Sequence, residues 1–564
     1  MMTRSPVASA TASDFVPKLV TTLREGYGPA KFRADAIAGL TVAIVALPLS
    51  MAIAIASGVT PQMGLITAIV GGFLVSALGG SRFQVGGPAG AFIVLVSTTV
   101  QAHGLDGLIL ATFLSGILLA GLGLLRLGTY VKFIPFPVTV GFTAGIAAII
   151  FASQIKPLLG LTLAGPEPAA LTEKLPALWA ALPTLNPVTC ALSAACIAGL
   201  LGLKRLRPHW PRLLIVVVAA AAAAAALRLP VATIGSTFGA LPSGLPAPSL
   251  PTFSQEKLVA VLPSAVSFTL LGAIESLLSA VVADGMTGRR HRSNTELVAQ
   301  GVANMGSALF GGFCVTGTIA RTATNVRAGA QGPVAGMLHA VFLLAFLVVA
   351  APLAGFIPLA ALAAVLALVS WDMVEKPAIA ALSRSSRGDA AVLYVTLGLT
   401  IFRDLSEAIV VGFALGAVLF IHRMSTTVQV VEPSERTPYD SRDATDPQVL
   451  VYRIRGAMFF GAVSSIAAVL ERIDDDSRLI VIDFSEVTLV DSSAAHMIES
   501  LAHKAHRRGV TVYLTGTTAS LRRELLRQGA RPPVARYATS VAAALESARR
   551  RGIVLAPPPE MQPA

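Results

Sequence analysis

The amino-acid sequence predicts a polytopic α-helical membrane protein of about 14 segments, followed by a soluble, cytoplasmic α/β domain. Of its 564 residues, 54% are hydrophobic and only 13% are charged, whereas a soluble domain carries about 25% charged residues. The charges are also unevenly distributed, because residues 34–153 hold very few and residues 429–553 hold many. This division is typical of a membrane domain that is followed by a soluble one.

Hydrophobic stretches recur along the first three quarters of the chain. A helix that spans a bilayer needs about 20 mostly apolar residues. Twelve stretches approach that length: 35–57, 62–80, 107–126, 131–153, 186–203, 212–228, 258–283, 296–313, 333–354, 357–371, 389–403 and 405–422. Two shorter apolar stretches, 87–100 and 318–328, cannot cross alone. We predict that they are half-helices, which gives about fourteen elements in total.

Lysine and arginine cluster at alternate ends of these elements. They precede the first element and follow the fourth, sixth, eighth, twelfth and fourteenth. By the positive-inside rule, both termini lie in the cytoplasm, with residues 1–33 as a cytoplasmic N-terminal segment. The net charge of +12 is therefore interpreted as setting membrane orientation, and nucleic acid is not expected as a partner.

Two distant parts of the chain resemble each other. Residues 77–92 read ALGGSRFQVGGPAGAF, and residues 308–322 read ALFGGFCVTGTIART. A long span with a helix-breaking or polar residue precedes each copy, Pro48 in the first and Glu275 in the second. About seven elements separate the copies, so they have opposite orientations in the membrane. Inverted repeats with paired broken helices indicate the binding site of a transporter.

The first half-helix opens with Gly87, Pro88 and Ala89. Glycine lets an extended chain turn into a helix, and proline suits the first helical position because its missing N–H costs nothing there. A helix that begins inside the membrane has free N–H groups and a partial positive charge at its tip, which bind anions. Ser50 and Ile53 of the first span are expected to line the same cavity. The alternative is a Gly/Pro kink that only packs against other helices.

The second half-helix opens with Thr318, Ala320 and Arg321. Two facing tips would direct two positive ends into one cavity, and Arg321 adds a full charge with several donors, which suits carboxylate or sulfate. A charged residue at this depth normally faces a cavity or a partner. The alternatives for Arg321 are snorkelling to the surface and structural pairing with Glu275.

Glu275 is a carboxylate deep in an apolar span, SFTLLGAIESLLSAVV. Such a carboxylate could take up and release a proton and so couple transport to a proton gradient. Ser279 follows one turn later on the same helix face, and the two side chains could instead offer oxygens to Na⁺. The third alternative is a structural hydrogen bond to a neighbouring helix. No metal-ligand spacing or catalytic constellation appears in the sequence, so we expect neither a cofactor nor an enzyme.

From about residue 448 the pattern changes to strands that alternate with helices, which predicts an α/β domain with a largely parallel sheet over 448–553. The predicted strands are VLVYRIRG, LIVIDF and VTVYLTG, and the predicted helices are 462–472, 492–507 and 517–528. A polar linker, 425–447, joins this domain to the transmembrane part, 34–424, and residues 554–564 form a tail.

Four segments of the chain resemble the sulfate permease (SulP) family of anion transporters: ALPLSMAIAIASGVTPQMGL, GGSRFQVGGPAGAF, GAIESLLSAVVADGMTG and IARTATNVRAG. The resemblance covers about residues 35–550. It implies a seven-plus-seven inverted repeat that is divided into core and gate domains, an elevator-like motion and a homodimer. It also implies an anion site between the third and tenth segments. By motif, that site maps onto Pro88, Ala89, Thr318, Ala320 and Arg321, with Ile53 contributed by the first span.

The last two motifs look most like the bacterial branch of four-carbon dicarboxylate transporters typified by DauA. This resemblance implies a secondary active transporter of the bacterial inner membrane that takes up succinate, fumarate or aspartate. Animal members carry aromatic residues at the Ile53 and Ala89 positions, so a larger cavity is expected here. Glu275 with Ser279 favours proton coupling. Sulfate transport, sodium-coupled bicarbonate transport and a passive channel or sensor remain as alternatives.

The segment VIDFSEVTLVDSSAAHMI resembles the signature of the STAS domain, which is shared with anti-sigma factor antagonists. In those relatives a serine of the Asp-Ser-Ser loop is phosphorylated, and this position maps onto Ser492 or Ser493. The domain is also expected to bind a cytoplasmic protein. The relatives usually carry glycine at the next position, where this chain has Ala494, and this difference argues against phosphorylation. The alternative role for Ser492 is the N-cap of the following helix.

Overall fold

The computed structural model describes residues 15–131, 135–165, 167–168, 170–207, 210–240, 242–403, 405–426, 429–431, 448–460, 463 and 477–553. The chain divides at Phe413 into two compact units. The first 14 residues, most of the expected linker, nearly all of the helix expected over 462–472 and the tail lie outside the described residues.

Helices fill the first unit, and the last of them continues past the boundary at Phe413. In chain order they are α1 (Lys18–Arg24), α2 (Pro29–Ala56), α3 (Pro61–Ile66), α4 (Gly72–Leu78), α5 (Ile93–Leu124), α6 (Gly128–Val131), α7 (Phe136–Leu159), α8 (Leu171–Ala180), α9 (Pro187–Leu206), α10 (Arg212–Ala226), α11 (Ile234–Phe238), α12 (Gln255–Thr287), α13 (Ser293–Leu309), α14 (Ile319–Arg327), α15 (Val334–Ala354), α16 (Leu359–Met373), α17 (Lys376–Ser385), α18 (Arg387–Phe402) and α19 (Leu405–Thr426). Every one of the fourteen predicted apolar segments is helical over most of its length. A π-helical turn, Thr67–Gly71, joins α3 to α4 without a break.

Eight helical stretches in the described part of the chain are long and apolar enough to cross a membrane. They are Pro29–Ala56, Pro61–Leu78, Gly90–Leu124, Phe136–Leu159, Pro187–Leu206, Gln255–Thr287, Val334–Ala354 and Glu407–Ser425. The protein is therefore a multi-pass membrane protein. Among the described residues, the spanning and half-spanning elements form two sets of seven, as the inverted repeat predicts. These are α2, α3 with α4, the two parts of α5, α7, α9 and α10, and then α12 to α16, α18 and α19.

The third and fourth predicted elements lie in one helical stretch that contains a kink. A 3₁₀ turn, Gly90–Phe92, leads directly into α5, and Gly104 breaks α5 with φ 70° and ψ −175°. Glycine adopts this backbone conformation readily because it has no Cβ atom. The first half-helix therefore runs from Gly90 to the kink at Gly104.

The prediction that Pro88 is the first helical residue is wrong. The helix is preceded by Ala89, whose φ of −112° and ψ of 145° are extended. Just before it, strand β1 (Gly86–Gly87) pairs antiparallel with strand β2 (Thr316–Gly317), which precedes α14. This pairing with the other half of the chain holds the backbone around Pro88 extended, and a pattern local to residues 86–91 cannot reveal it.

Glycines allow close approach between helices of the first unit. A Cβ atom at Gly116 of α5 would lie 2.7 Å from the carbonyl oxygen of Gly301 in α13, and one at Gly301 would lie 2.5 Å from that of Gly116. Likewise, a Cβ atom at Gly39 of α2 would lie 2.5 Å from the carbonyl oxygen of Ala335 in α15. Close backbone contact through small residues is how membrane helices associate, since lipid provides no hydrophobic drive between them.

The second unit contains a five-stranded sheet in the order β3-β4-β5-β6-β7. The strands are β3 (Gln429–Val431), β4 (Val449–Met458), β5 (Leu479–Val490), β6 (Thr511–Thr515) and β7 (Ala535–Ala538), and the helices are α20 (Ser492–Arg507), α21 (Ala519–Arg527) and α22 (Val541–Arg550). β3 is antiparallel to β4, and the other neighbours are parallel. α19 and β3 extend into residues 425–447, so the linker predicted for that range is shorter than expected.

The apolar run at the start of β5 is buried on both faces of the sheet. Ile480 and Ile482 belong to a cluster with residues of α20 and α21. Leu479 and Val481 belong to a second cluster with residues of α22. A strand covered by helices on both sides is continuously hydrophobic, which explains why LIVIDF lacks the alternation of an exposed strand.

Candidate functional site

The membrane unit contains the antiparallel pair of β1 and β2, here called the crossing. Its register joins Gly86 to Gly317 and Gly87 to Thr316. The crossing brings together the starts of the two half-helices, which are far apart in the sequence.

Hydrogen bonds fasten the extended chain before the first half-helix to α14. Thr318 donates its backbone N–H to the carbonyl oxygen of Val85 at 3.1 Å. Val85 in turn donates its N–H to Oγ1 of Thr322 at 3.2 Å. Asn325 donates from Nδ2 to the carbonyl oxygen of Phe83 at 2.9 Å. The two half-helices therefore share one backbone framework.

Neither half-helix tip is capped by a side chain. Ala89 precedes the first and Thr318 precedes the second, and neither side chain accepts a hydrogen bond from the first helical turn. The Thr318 hydroxyl instead donates to the carbonyl oxygen of Val85 at 3.3 Å. Because the first N–H groups of a helix have no partner within the helix, both tips keep donors and partial positive charge for a ligand.

Arg321 lies in the first turn of α14 and is only 1% exposed. Its Nη2 donates to Oγ of Ser50 at 3.0 Å and to the carbonyl oxygen of Pro88 at 3.3 Å. A Cβ atom at Gly87 would lie 1.9 Å from Nη1, so the guanidinium rests on the bare backbone of the crossing. The structure thus brings Ser50, Gly87, Pro88 and Arg321 into direct contact.

Part of the guanidinium has no hydrogen-bond partner in the described part of the chain. Nε and Nη1 of Arg321 are buried and form no hydrogen bond with any described residue. The structural pairing of Arg321 with Glu275, one of the alternatives for this arginine, is not formed. Ser50 fixes the arginine instead, and its own hydroxyl donates to the carbonyl oxygen of Ala46 at 2.7 Å.

The apolar residues of the predicted site differ in exposure. Ile53 is 3% exposed and Ala89 is 7% exposed, and both belong to the main hydrophobic cluster of the membrane unit. Ala320 is exposed, although its neighbours Arg321 and Thr318 are buried. All three side chains are hydrocarbon, so they can shape a site and cannot contribute charge to it.

α12 runs beside the crossing and carries Glu275 and Ser279. Thr316 Oγ1 donates to the carbonyl oxygen of Gly272 at 3.3 Å, and Ser279 Oγ donates to Oγ1 of Thr322 at 3.0 Å. Glu275 lies one turn before Ser279 and is partly exposed. Its carboxylate forms no hydrogen bond or ion pair with a described residue, so the third alternative for Glu275, a structural hydrogen bond, is not observed in this part of the chain.

A cavity lies elsewhere in the membrane unit. It has a volume of about 440 Å³ and lies among α2, α10 and α15, with Met51, Val217 and Phe346 among its lining residues. Its walls are almost entirely hydrocarbon, and neither Arg321 nor the residues of the crossing line it. This cavity therefore lacks groups that would bind a small anion.

In the second unit, Ser492 and Ser493 are exposed at the start of α20. The expectation that Ser492 caps this helix is wrong, because Asp491 is the N-cap. The Asp491 carboxylate accepts from the N–H of Ala494 at 2.9 Å and from the N–H of Phe460 at 2.9 Å. A carboxylate is a better acceptor for free N–H groups than a hydroxyl, which leaves both serines directed to solvent.

Sequence reasoning missed Gln84 and His339, which are buried close to the crossing. Gln84 is 3% exposed, and His339 is completely buried in α15. The detectable signal is the presence of a polar side chain in an otherwise apolar span such as VAGMLHAVFLLAF, because such residues are costly in a membrane unless they have a role.

A multi-pass membrane fold with two uncapped half-helix tips is typical of a membrane transporter. The chain belongs to the sulfate permease family, which it matches over residues 32–396. It also matches the STAS domain over residues 442–544. The resemblance that the sequence motifs carry is therefore confirmed for both parts of the chain.

Two relatives agree with this assignment, and one solved structure shares the fold. The chain is 38% identical over 495 residues to the putative sulfate transporter YvdB of Bacillus subtilis, covering 87% of this chain and 93% of YvdB. It is 30% identical over 514 residues to the bicarbonate transporter BicA of a Picosynechococcus species, covering 87% and 90%. The fold matches the murine anion transporter Slc26a9 with a TM-score of 0.83 at 19% identity, covering 98% of this chain and 96% of that one.

Proposed function

We propose that the chain is a secondary active transporter that binds a small oxyanion between the two half-helix tips and Arg321. The supporting observation is a guanidinium that is 1% exposed and has two nitrogens without partners among the described residues. A buried cation that lacks a carboxylate partner is costly unless an anion accompanies it. The two helix tips add partial positive charge at the same place.

The favoured substrates are four-carbon dicarboxylates such as succinate, fumarate and aspartate, as in the branch typified by DauA. Ile53 and Ala89 leave more room than the aromatic residues expected in animal members, and arginine suits a carboxylate. Sulfate or bicarbonate is the second candidate, because the relatives named above are a putative sulfate transporter and a bicarbonate transporter. A thermal-shift panel of all five anions separates these candidates, since a ligand that binds only the folded protein raises its melting temperature.

Glu275 is the proposed proton carrier. The residue is partly exposed, and its carboxylate has no partner among the described residues. Ser279, one turn away, contacts Thr322 of α14, so a change of charge on Glu275 acts close to the half-helix that carries Arg321. Sodium coupling is the alternative, with Glu275 and Ser279 offering oxygen ligands.

Uptake into proteoliposomes tests the coupling. We expect wild-type protein to accumulate the best anion of the panel when a proton gradient is the only driving force. Glu275→Gln should retain anion exchange and lose this accumulation, because glutamine cannot release a proton. If the Gln variant still accumulates substrate, Glu275 is not the carrier. If wild type responds only to a Na⁺ gradient, the sodium alternative holds, and a passive channel would equilibrate the anion without accumulation.

The assembly and its location complete the proposal. The chain acts as a homodimer in the bacterial plasma membrane, with both termini in the cytoplasm and an elevator-like movement of a core domain against a gate domain. The family assignment and the positions of the basic residues support this. Labelling of single cysteines from each side of the membrane tests the orientation, and mass measurement in lipid nanodiscs tests the dimer. Protein partners of residues 448–553 would be sought by cross-linking in cells.

A further inference from the structure

Two buried polar side chains near the crossing have no role in the proposed anion site. Gln84 is 3% exposed and His339 is 0% exposed. Neither amide atom of Gln84 and neither ring nitrogen of His339 forms a hydrogen bond with a residue that the structure describes. Buried polar atoms are nearly always paired with protein or with ordered water, because burial removes their hydrogen bonds to solvent.

The crossing has two faces, and Gln84 packs on one of them. Residues that are directly paired across two strands point to the same face, and successive residues alternate. Gly86 and Gly317 are such a pair. A Cβ atom at Gly86 would meet the Val75 side chain at 2.8 Å, and one at Gly317 would lie 1.5 Å from Nε2 of Gln84. Gln84 therefore covers the face that is directed towards α4.

Arg321 packs on the opposite face. Gly87 and Thr316 form the other pair of the crossing, so they point away from Gln84. A Cβ atom at Gly87 would lie 1.9 Å from Nη1 of Arg321, and the Thr316 hydroxyl donates to Gly272 of α12 at 3.3 Å. The proposed anion site and Gln84 are thus separated by the backbone of the crossing.

His339 lies on the same side as Gln84. A Cβ atom at Gly72 of α4 would meet the carbonyl oxygen of Gly86 at 2.9 Å and Cε1 of His339 at 3.8 Å. Ser76, one turn further along α4, donates to the carbonyl oxygen of Gln84 at 3.3 Å. α4, α15 and the back of the crossing therefore enclose both unpaired side chains.

We propose that Gln84 and His339 bind buried water behind the crossing. A primary amide and a neutral imidazole each present both donor and acceptor groups, which matches a molecule that donates and accepts. A site for an anion would present mainly donors, and a site for a cation would present mainly acceptors. Buried waters characteristically occupy such positions and form about three hydrogen bonds to otherwise unpaired polar groups.

This water holds the crossing from the side opposite the anion. The extended chain at Val85 is bonded to Thr318 and Thr322 of α14, so it moves with the second half-helix. Water on Gln84 links the same stretch to His339 of α15 and thereby fixes the backbone on which Arg321 rests. The expected effect on anion affinity depends on the proposed function, whereas the expected effect on thermal stability does not.

A double-mutant cycle on the full-length protein tests the water site. Gln84→Leu disrupts the water site and leaves the ring nitrogens of His339 without hydrogen bonds. His339→Leu likewise leaves the amide of Gln84 without hydrogen bonds. Each single variant should therefore melt at a lower temperature than wild type. The double variant removes both polar groups, so it should be more stable than the sum of the two single losses indicates. In a sulfate titration, the single variants should also bind more weakly than the double variant.

Gln154→Leu combined with His339→Leu is the matched control. Gln154 is also 3% exposed, but its Nε2 donates to the carbonyl oxygen of Ile150 at 3.3 Å and to Oγ of Ser153 at 2.7 Å. This pair should show additive losses of melting temperature.

A cryo-EM map that resolves water provides the second measurement. Density within hydrogen-bonding distance of Gln84 and His339 is expected in wild type and should be absent from the double variant. Additive losses in the Gln84–His339 cycle, or a map in which both side chains contact only protein, would overturn the proposal. If wild type fails to bind any anion while the cycle stays non-additive, the proposed function is wrong and the water site stands.

Discussion

The substitution Gly87→Ala tests whether the position of Arg321 decides anion affinity. A Cβ atom at this residue would lie 1.9 Å from Nη1, whereas non-bonded heavy atoms approach to about 3.5 Å. The guanidinium must therefore withdraw by about 1.5 Å. Such a shift exceeds the tolerance of its hydrogen bonds to Ser50 and Pro88, which are 3.0 and 3.3 Å long.

The expected loss of anion affinity follows from the hydrogen bonds of Arg321 that the shift weakens. A hydrogen bond to a charged group contributes about 1.5–3 kcal/mol, and each 1.4 kcal/mol corresponds to about a tenfold change in affinity. Misplacing one such contact with the anion should weaken binding by about 10- to 100-fold. The fold should tolerate the change, because Nη1 is the end of a long flexible side chain and Gly87 has no positive φ.

The assay is the Michaelis constant for uptake of the best anion, measured together with the melting temperature. Gly121→Ala is a control, since a Cβ atom there would have no neighbour within 4 Å. Gly202→Ala is a second control, since a Cβ atom at that residue would also have no neighbour within 4 Å. If Gly87→Ala keeps wild-type affinity while the controls behave normally, Arg321 does not determine binding.

Three further predictions address the charge of the site, the C-terminal domain and the N-terminal helix. Arg321→Ala should abolish anion binding and Arg321→Lys should keep part of it, because lysine retains the charge without the planar donor fork; a thermal-shift titration measures both, and full affinity in the Ala variant contradicts the assignment. Truncation after Met424 should lower expression or rate and leave the order of preferred anions unchanged, since all candidate binding residues precede it; competition for uptake would reveal a changed order. The Arg82 guanidinium, which donates to both carboxylate oxygens of Glu25, holds the pKa of that carboxyl below its usual range. The contact therefore stabilises fully above the unfolded-state pKa of about 4.3 and is lost as the pH falls through the lower folded-state value. Hydrogen exchange of Lys18–Arg24, corrected for intrinsic rates, should increase in acid, and Glu25→Gln should show that increase at neutral pH; equal protection of wild type at both pH values argues against this role.

The membrane unit was largely predictable because membrane spans are a matter of length and composition. Fourteen apolar segments appear in the sequence and all are helical in the structure. The boundaries at the site were not predictable in the same way. Whether the chain at Pro88 is extended or helical depends on pairing with Thr316–Gly317, and a local pattern contains no information about a strand from the other half of the chain.

Contacts between spans that are distant in the sequence could not be predicted either. The sequence shows that Arg321 needs a partner, and Glu275 has the opposite charge. The structure instead gives Arg321 a hydroxyl and a carbonyl, because Ser50 of α2 lies against α14 and Glu275 remains apart. Gln84 and His339 were missed for a related reason. Their importance comes from unpaired atoms in a shared enclosure, and this property appears only once α4, α15 and the crossing are packed together.

The symmetry of the crossing explains why the two half-helix tips are similar although only one charged residue, Arg321, lies between them. An offset of 230 residues maps Gly86 onto Thr316 and Gly87 onto Gly317, and this mapping exchanges the two observed pairs, Gly86 with Gly317 and Gly87 with Thr316. The backbone therefore follows the inverted repeat.

The side chains that pack on this backbone do not follow the repeat. The same offset maps Arg321 onto Ala91 and Gln84 onto Cys314, so each face of the crossing carries a long polar side chain from only one half. A symmetric backbone supplies two sets of free N–H groups, and the asymmetric substitution adds a single full charge. A transport site must bind its ion firmly enough to capture it and weakly enough to release it. A site with one full positive charge rather than two agrees with this requirement.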